Sequence, residues 1–197
     1  MQPFRIHTGH AVPLDRSDVD TDQIVAASAL RRIERTGFGR FLFADWRRDP
    51  SFVLNDPRFA GATIMITGPN FGCGSSREHA VWALEEAGFR AVVAPSFADI
   101  FRNNCLKVGL LPVVLPEPVI RTLLDAVAAD ATLEITVDLE GRRVRGQGVD
   151  EPFAIDDFTR WRLLEGLDDI GLTLRHTDEI SAFERTRPPR LPSLPRR

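Results

Sequence analysis

The chain has 197 residues, a formal net charge of −3, 43% hydrophobic and 27% charged side chains, a composition that excludes a disordered, fibrous or membrane-embedded protein. No run reaches the roughly 18 apolar residues of a membrane span, and Met1-Gln-Pro-Phe-Arg-Ile-His7 lacks the basic region and apolar core of a signal peptide, so a cytoplasmic protein is expected. Two cysteines exclude a stapled scaffold, and five arginines between Arg185 and Arg197 leave the remaining body near −8 (−3 minus 5), the wrong sign for a nucleic-acid face.

The first sixty residues carry few periodic signals. Ser28–Arg35 reads as a helix, and Thr36-Gly-Phe-Gly39 and Asp49-Pro50 read as loop punctuation. From Ala62 the alternation becomes regular. Ala62–Thr67 is a β-branched run closed by Gly68-Pro69, hence a buried strand. A helix follows over Arg77–Ala87, with Ala80, Val81, Ala83, Leu84 and Ala87 on one face and Gly88 at its end. Ser75 stands three residues before Glu78, the spacing of a capping box, which predicts Ser75 or Ser76 at the helix N-cap. Ala91–Ala94 is a second strand, Phe97–Lys107 a second helix stopped by Gly109, and Leu110–Leu115 a third strand. The strands of this βαβαβ unit should be parallel, with right-handed connections. Pro118–Ala129 reads as a helix, Leu133–Leu139 and Arg142–Arg145 as a hairpin about Glu140-Gly141, and Asp156–Glu165 and Thr177–Glu184 as two late helices. Residues 1–186 are expected to form one domain, and the Pro/Arg-rich 187–197 a solvated, partly extended tail.

The densest chemistry lies in Gly68-Pro-Asn-Phe-Gly-Cys-Gly-Ser-Ser-Arg-Glu-His-Ala80. Glycines before a helix favour an anion through open N–H groups and the helix dipole. A phosphate loop is excluded because no lysine follows the glycines, and Gly72-x-Gly74 lacks the third glycine of a dinucleotide fingerprint. Arg77 adds a planar fork suited to a carboxylate. Cys73 could serve as a nucleophile, but no base is assigned to it by spacing, and a small packed thiol is the simpler reading. Cys105 sits in an amphipathic helix and reads as packing; two thiols are too few for an iron–sulfur cluster, which takes about four. Asp18-Val-Asp20-Thr-Asp22 is spaced like the opening of a calcium loop, but Gln23 replaces its glycine and Ala29 its bidentate glutamate.

These stretches also carry a resemblance. Asp18-Val-Asp-Thr-Asp-Gln-Ile24, Arg35-Thr-Gly-Phe-Gly39, Asn70–Ala80, Ala94-Pro-Ser-Phe-Ala-Asp-Ile-Phe101, Gly109-Leu-Leu-Pro112 and Ile170-Gly-Leu-Thr-Leu174 occur in this order. From Phe4 to about Glu184 the sequence resembles the 3-isopropylmalate dehydratase small subunits of the aconitase superfamily. The resemblance implies an α/β fold, a swivelling β/β/α three-layer domain with a central parallel βαβαβ unit and an additional hairpin. It also implies a hydro-lyase of leucine biosynthesis that interconverts 2-isopropylmalate and 3-isopropylmalate through 2-isopropylmaleate. The chain itself would bind no cofactor; a large subunit, its partner in a heterodimer, would carry a [4Fe–4S] cluster, and no nucleic acid or membrane would be involved. By the superfamily pattern Ser75 matches the catalytic serine, whose alkoxide moves the proton. Ser76 and Arg77 match substrate-contacting residues, with Arg77 holding a carboxylate of the small dicarboxylate substrate. Thr21 and Asp22 match a pair at the site's edge, Gly72 and Gly74 let backbone approach substrate, and Arg31 or Arg32 would meet the second carboxylate. The loop Val25-Ala-Ala-Ser-Ala29 departs from the family's Ile-Pro, two polar residues and an aromatic.

Three other readings remain beside this one. A related hydro-lyase subunit would act on homoaconitate or a methylated malate, a non-catalytic module of the same fold would bind an anion or partner, and a thiol enzyme would use Cys73 unaided.

Overall fold

A computed structural model describes residues 1–27, 29, 36–75 and 77–187. Its elements in chain order begin with β1 (Ile6–Leu14), α1 (Thr21–Ile24), β2 (Ile64–Thr67), α2 (Glu78–Glu86), β3 (Ala91–Ala94), α3 (Asp99–Val108), β4 (Leu111–Val114) and α4 (Glu117–Ala129). They continue with β5 (Glu134–Asp138), β6 (Arg143–Gly146), β7 (Val149–Pro152), α5 (Asp157–Glu165), α6 (Asp169–Leu174) and α7 (Thr177–Thr186).

The seven strands form one sheet in the order β4-β3-β2-β1-β5-β6-β7. Every residue of β2 and β3 is buried, because these parallel strands are covered on both faces. That is why they read as unbroken apolar runs and not as alternating ones. α4 turns Ile120, Leu123, Leu124 and Val127 inward and packs on β1 and β2, while α2 and α3 pack on each other. Each such buried aliphatic side chain contributes about 1.5–3 kcal/mol relative to exposure.

β1 joins two kinds of sheet. Its second half pairs in parallel with β2, from Ala11 opposite Ile64 to Leu14 opposite Thr67. Its first half pairs antiparallel with β5, from Ile6 opposite Asp138 to His10 opposite Glu134. The antiparallel wing continues through the expected β5–β6 hairpin to β7, where Gln147-Gly148 makes a two-residue turn with both φ angles positive.

The α/β class, the parallel unit and the hairpin match the expectation, and element ends differ by at most two residues. β1, α1, β7 and α6 are additional. The expected helix over Ser28–Arg35 lies outside the described residues apart from Ala29, which is buried, and the expected tail lies outside them apart from Arg187.

One local expectation is wrong. The N-cap of α2 is Arg77, in extended conformation, and neither Ser75 nor Glu78 closes a capping box. A long-range contact overrides the local one: the Thr21 hydroxyl donates to the Ser75 carbonyl at 2.7 Å and fixes Ser75 three residues before the helix begins at Glu78. Glu78 instead faces Lys107 at 3.7 Å across α3. Among the described residues no side chain caps the first turn of α2, whose terminal N–H groups face the loop that carries Ser75.

Candidate active site

Three loops leave the carboxyl ends of neighbouring parallel strands β1, β2 and β3, the place where open α/β sheets put their ligands. Backbone hydrogen bonds join them into one platform. Gly72 N–H donates to the Val19 carbonyl at 2.7 Å, Thr21 N–H to Cys73 at 3.0 Å, and Asp18 N–H to Pro69 at 2.9 Å. On the other side Phe71 N–H donates to Ser96 at 3.2 Å and Ala98 N–H to Phe71 at 3.1 Å, while Asn70 N–H reaches the Ser96 hydroxyl at 2.8 Å.

The platform opens into a cleft of about 240 Å³ lined by Thr21, Gly72, Gly74, Ser75, Arg77 and the Ala98–Phe101 start of α3. The structure therefore gathers five of the expected site residues on one cleft. Asp22 stands at its rim, where its carboxylate meets the Arg77 guanidinium at 2.9 Å, with a second contact at 3.4 Å. A guanidinium has five donors, so this pair orients Arg77 and still leaves donors for a substrate carboxylate. Ser76, Arg31 and Arg32 lie outside the described residues.

Two glycines are required by this geometry. Gly72 has φ 76°, and a Cβ there would stand 2.1 Å from the Phe101 ring; Gly74 has φ 83°, and its Cβ would come within 3.3 Å of the Asp20 side chain. Besides lining the cleft, they let the loop press against α3 and the Asp20 turn.

The three carboxylates of Asp18–Asp22 do not converge on a common point. Asp18 accepts from Asn70 Nδ2 at 2.8 Å, Asp20 closes a capping box with Gln23 on α1, and Asp22 holds Arg77. Cys73 is half-buried, and burial, with Asp20 and Asp18 nearby, pushes its thiol pKa up, the opposite of an activated nucleophile. Full burial pushes Cys105 much higher still. The ring of His79 is packed against Phe38 at 5.0 Å and Trp82 at 4.8 Å, a structural placement.

Sequence reasoning assigned no site role to Ala98–Phe101, which forms the far wall of the cleft. The available signal was its position directly after β3, beside the loop that carries the serines.

Comparison with known proteins identifies the family. The family model described as the aconitase C-terminal domain matches residues 1–118. A relative from Parafrankia sp., a 3-isopropylmalate dehydratase small subunit, is 65% identical over 98% of this chain and 99% of its own. The chain belongs to the 3-isopropylmalate dehydratase small-subunit family. Small subunits of this dehydratase from Rubrobacter xylanophilus (63% identical, 98% of this chain, 100% of the relative) and Thermobifida fusca (61%, 98% and 98%) agree. The model described as the C-terminal domain of the 3-isopropylmalate dehydratase small subunit matches residues 169–197. A crystal structure of 3-isopropylmalate dehydratase from Methanocaldococcus jannaschii superposes with a TM-score of 0.66 at 25% identity, covering 90% of this chain and 98% of that one. Membership in this family makes the chain a small subunit, and among the described residues no helix is long and apolar enough to cross a membrane.

Proposed function

We propose that the chain forms one half of an active site in which Ser75 moves a proton and Arg77 anchors a carboxylate of isopropylmalate. The observation that carries this reading is the shared cleft. Thr21, Ser75 and Arg77 line it together, beside the N-terminus of α2. Deprotonating a carbon next to a carboxylate builds negative charge on that carboxylate, and the α2 amides and Arg77 are suited to hold it. A serine hydroxyl is a weak base at neutral pH. The same positive surroundings favour its alkoxide, which takes the proton while hydroxide leaves the adjacent carbon and 2-isopropylmaleate forms. Hydroxide then adds to the carbon that lost the proton, and Ser75 returns its proton to the adjacent one, with a Lewis acid for the hydroxide to be supplied by the large subunit. In this reading Asp22 orients Arg77, Thr21 fixes the Ser75 backbone, and Ser76 and one of Arg31 or Arg32 complete the substrate contacts.

The thiols of this chain do not suit an iron–sulfur cluster, because Cys105 is sealed in the core and Cys73 stands by itself at the loop. We assign the [4Fe–4S] cluster to the large subunit, and place the assembled heterodimer in the cytoplasm.

Reconstitution tests the reading. The chain by itself is expected to leave 2-isopropylmalate unchanged, and adding the cluster-loaded large subunit is expected to produce 3-isopropylmalate. Alkylation-sensitive turnover by the isolated chain would instead identify a thiol enzyme, and tight binding of malate analogues without a partner a binding module. Faster turnover of homoaconitate or a methylated malate by the assembled pair would reassign the substrate.

A further inference from the structure

We infer that the apolar face of α5–α7 is the surface on which the large subunit docks. Among the described residues eight large apolar side chains are exposed, and five of them lie between Phe158 and Phe183, which sets this region apart from the rest of the surface. They are Phe158 (58% exposed), Ile170 (71%), Leu174 (63%), Ile180 (39%) and Phe183 (60%). Ile170 and Leu174 are four apart on α6, and Ile180 and Phe183 three apart on α7, so each pair shares a helix face.

Neither α6 nor α7 buries a residue in its own chain. The segment is nevertheless held in place. Arg162 pairs with Asp169 at 2.7 Å, the Arg175 guanidinium lies 5.1 Å over the Trp161 ring, Asp168 caps α6 through Gly171, and the amino terminus reaches Asp168 at 3.6 Å. An anchored amphipathic helix pair with its apolar side in water has the form of an interface core awaiting its other half.

The identity of that half follows from which part of the chain carries the face. α6 and α7 lie within 169–197, the segment matched by the model described as the C-terminal domain of the 3-isopropylmalate dehydratase small subunit, whereas the match to the aconitase C-terminal domain ends at residue 118. A feature particular to small subunits is the one that needs a separate large subunit to cover it. Glu179 and Glu184 flank the Ile180/Phe183 face of α7 on either side, so the complementary surface is apolar at its centre with basic residues at its edge. The inference rests on the two-subunit part of the proposed function and not on the assignment of Ser75.

The test uses the full chain and purified large subunit, with I170E/F183E as the variant. The wild type is expected to form a one-to-one complex in sedimentation or titration calorimetry, and the variant to bind on the order of 30-fold to 100-fold more weakly, as loss of two interface anchors does. Its thermal midpoint is expected to stay at the wild-type value, and its turnover to return at saturating large subunit. Binding equal to wild type overturns the proposal. A lowered midpoint in the isolated variant means the chain covers this face itself, and a change confined to self-association means a second copy does; either result also overturns it. S75A separates the two readings: an S75A complex that assembles and still turns over removes the proposed function and leaves the docking surface standing.

Discussion

Thr21 and Ser75, 54 residues apart, are joined by a 2.7 Å hydrogen bond from the threonine hydroxyl to the serine carbonyl. The bond ties the loop after β1 to the loop after β2 at the point where the proposed base is carried. Because Thr21 is buried, its hydroxyl is confined to this one geometry.

Thr21→Val keeps the shape and removes the donor. The expected cost is about 1 kcal/mol of stability, because the exposed Ser75 backbone can turn to water. The expected loss of kcat is larger, about tenfold to a hundredfold, because a displacement near 1 Å is enough for that. Thermal unfolding and steady-state kinetics of the assembled enzyme check both, and Thr21→Ser should restore most of the rate. A loss of stability with kcat unchanged would make the bond purely structural.

Arg77→Lys keeps the charge and loses the fork. A charged hydrogen bond contributes roughly 1.5–3 kcal/mol, so kcat/KM should fall about 10-fold to 150-fold, mainly through KM. Asp22→Asn should give a smaller change in the same direction, since it leaves Arg77 in place but loosely oriented. Kinetics over a range of isopropylmalate concentrations separate KM from kcat.

Gly72→Ala forces a Cβ to within 2.1 Å of the Phe101 ring at a φ of 76°. Backbone strain and overpacking together should cost about 2–5 kcal/mol in chemical denaturation. Adding Phe101→Ala relieves the collision but not the strained φ, so the Gly72→Ala penalty should shrink in that background and not vanish.

The acid limb of stability has an identifiable contributor far from the cleft. Asp138 in the β5–β6 hairpin accepts from Gly141 N–H at 2.7 Å and from Arg145 at 3.0 Å, and the Gly141 bond chiefly holds its pKa below the usual carboxylate value. With the folded pKa below the unfolded one, its contribution is complete above about pH 4 and disappears as pH falls through the lower, folded value. Asp138→Asn should therefore be less stable than wild type at pH 6 and lose less on acidification to pH 3. Denaturation midpoints at the two pH values measure this.

The parts of the fold that were legible in the sequence are those governed by near-neighbour patterns. β2 and β3 are sealed between layers and so appear as apolar runs, and α4 shows its apolar stripe. β1 is hidden because its antiparallel half, Ile6–His10, is largely solvated and contains Gly9, where a Cβ would collide with the Thr63 hydroxyl at 2.2 Å. β7 is an edge strand with two acids and a proline, a composition that discourages pairing with other chains and also conceals the strand. In the site, Gly72, Gly74, Ser75 and Arg77 were readable as one contiguous motif. Its meeting with Thr21 and with Ala98–Phe101 was not readable from spacing, because those contacts come from the order of β1, β2 and β3 in the sheet. The mistaken capping box has the same origin, a local rule overridden by Thr21.

The most direct measurement of the central claim is kcat of the Ser75→Ala enzyme, assembled with its large subunit and saturated with 2-isopropylmalate. Loss of a positioned proton-transfer group should lower kcat by about 10²-fold to 10⁴-fold while complex formation and thermal midpoint stay at wild-type values. A rate within a few-fold of wild type in that intact complex would contradict the assignment of Ser75 as the base.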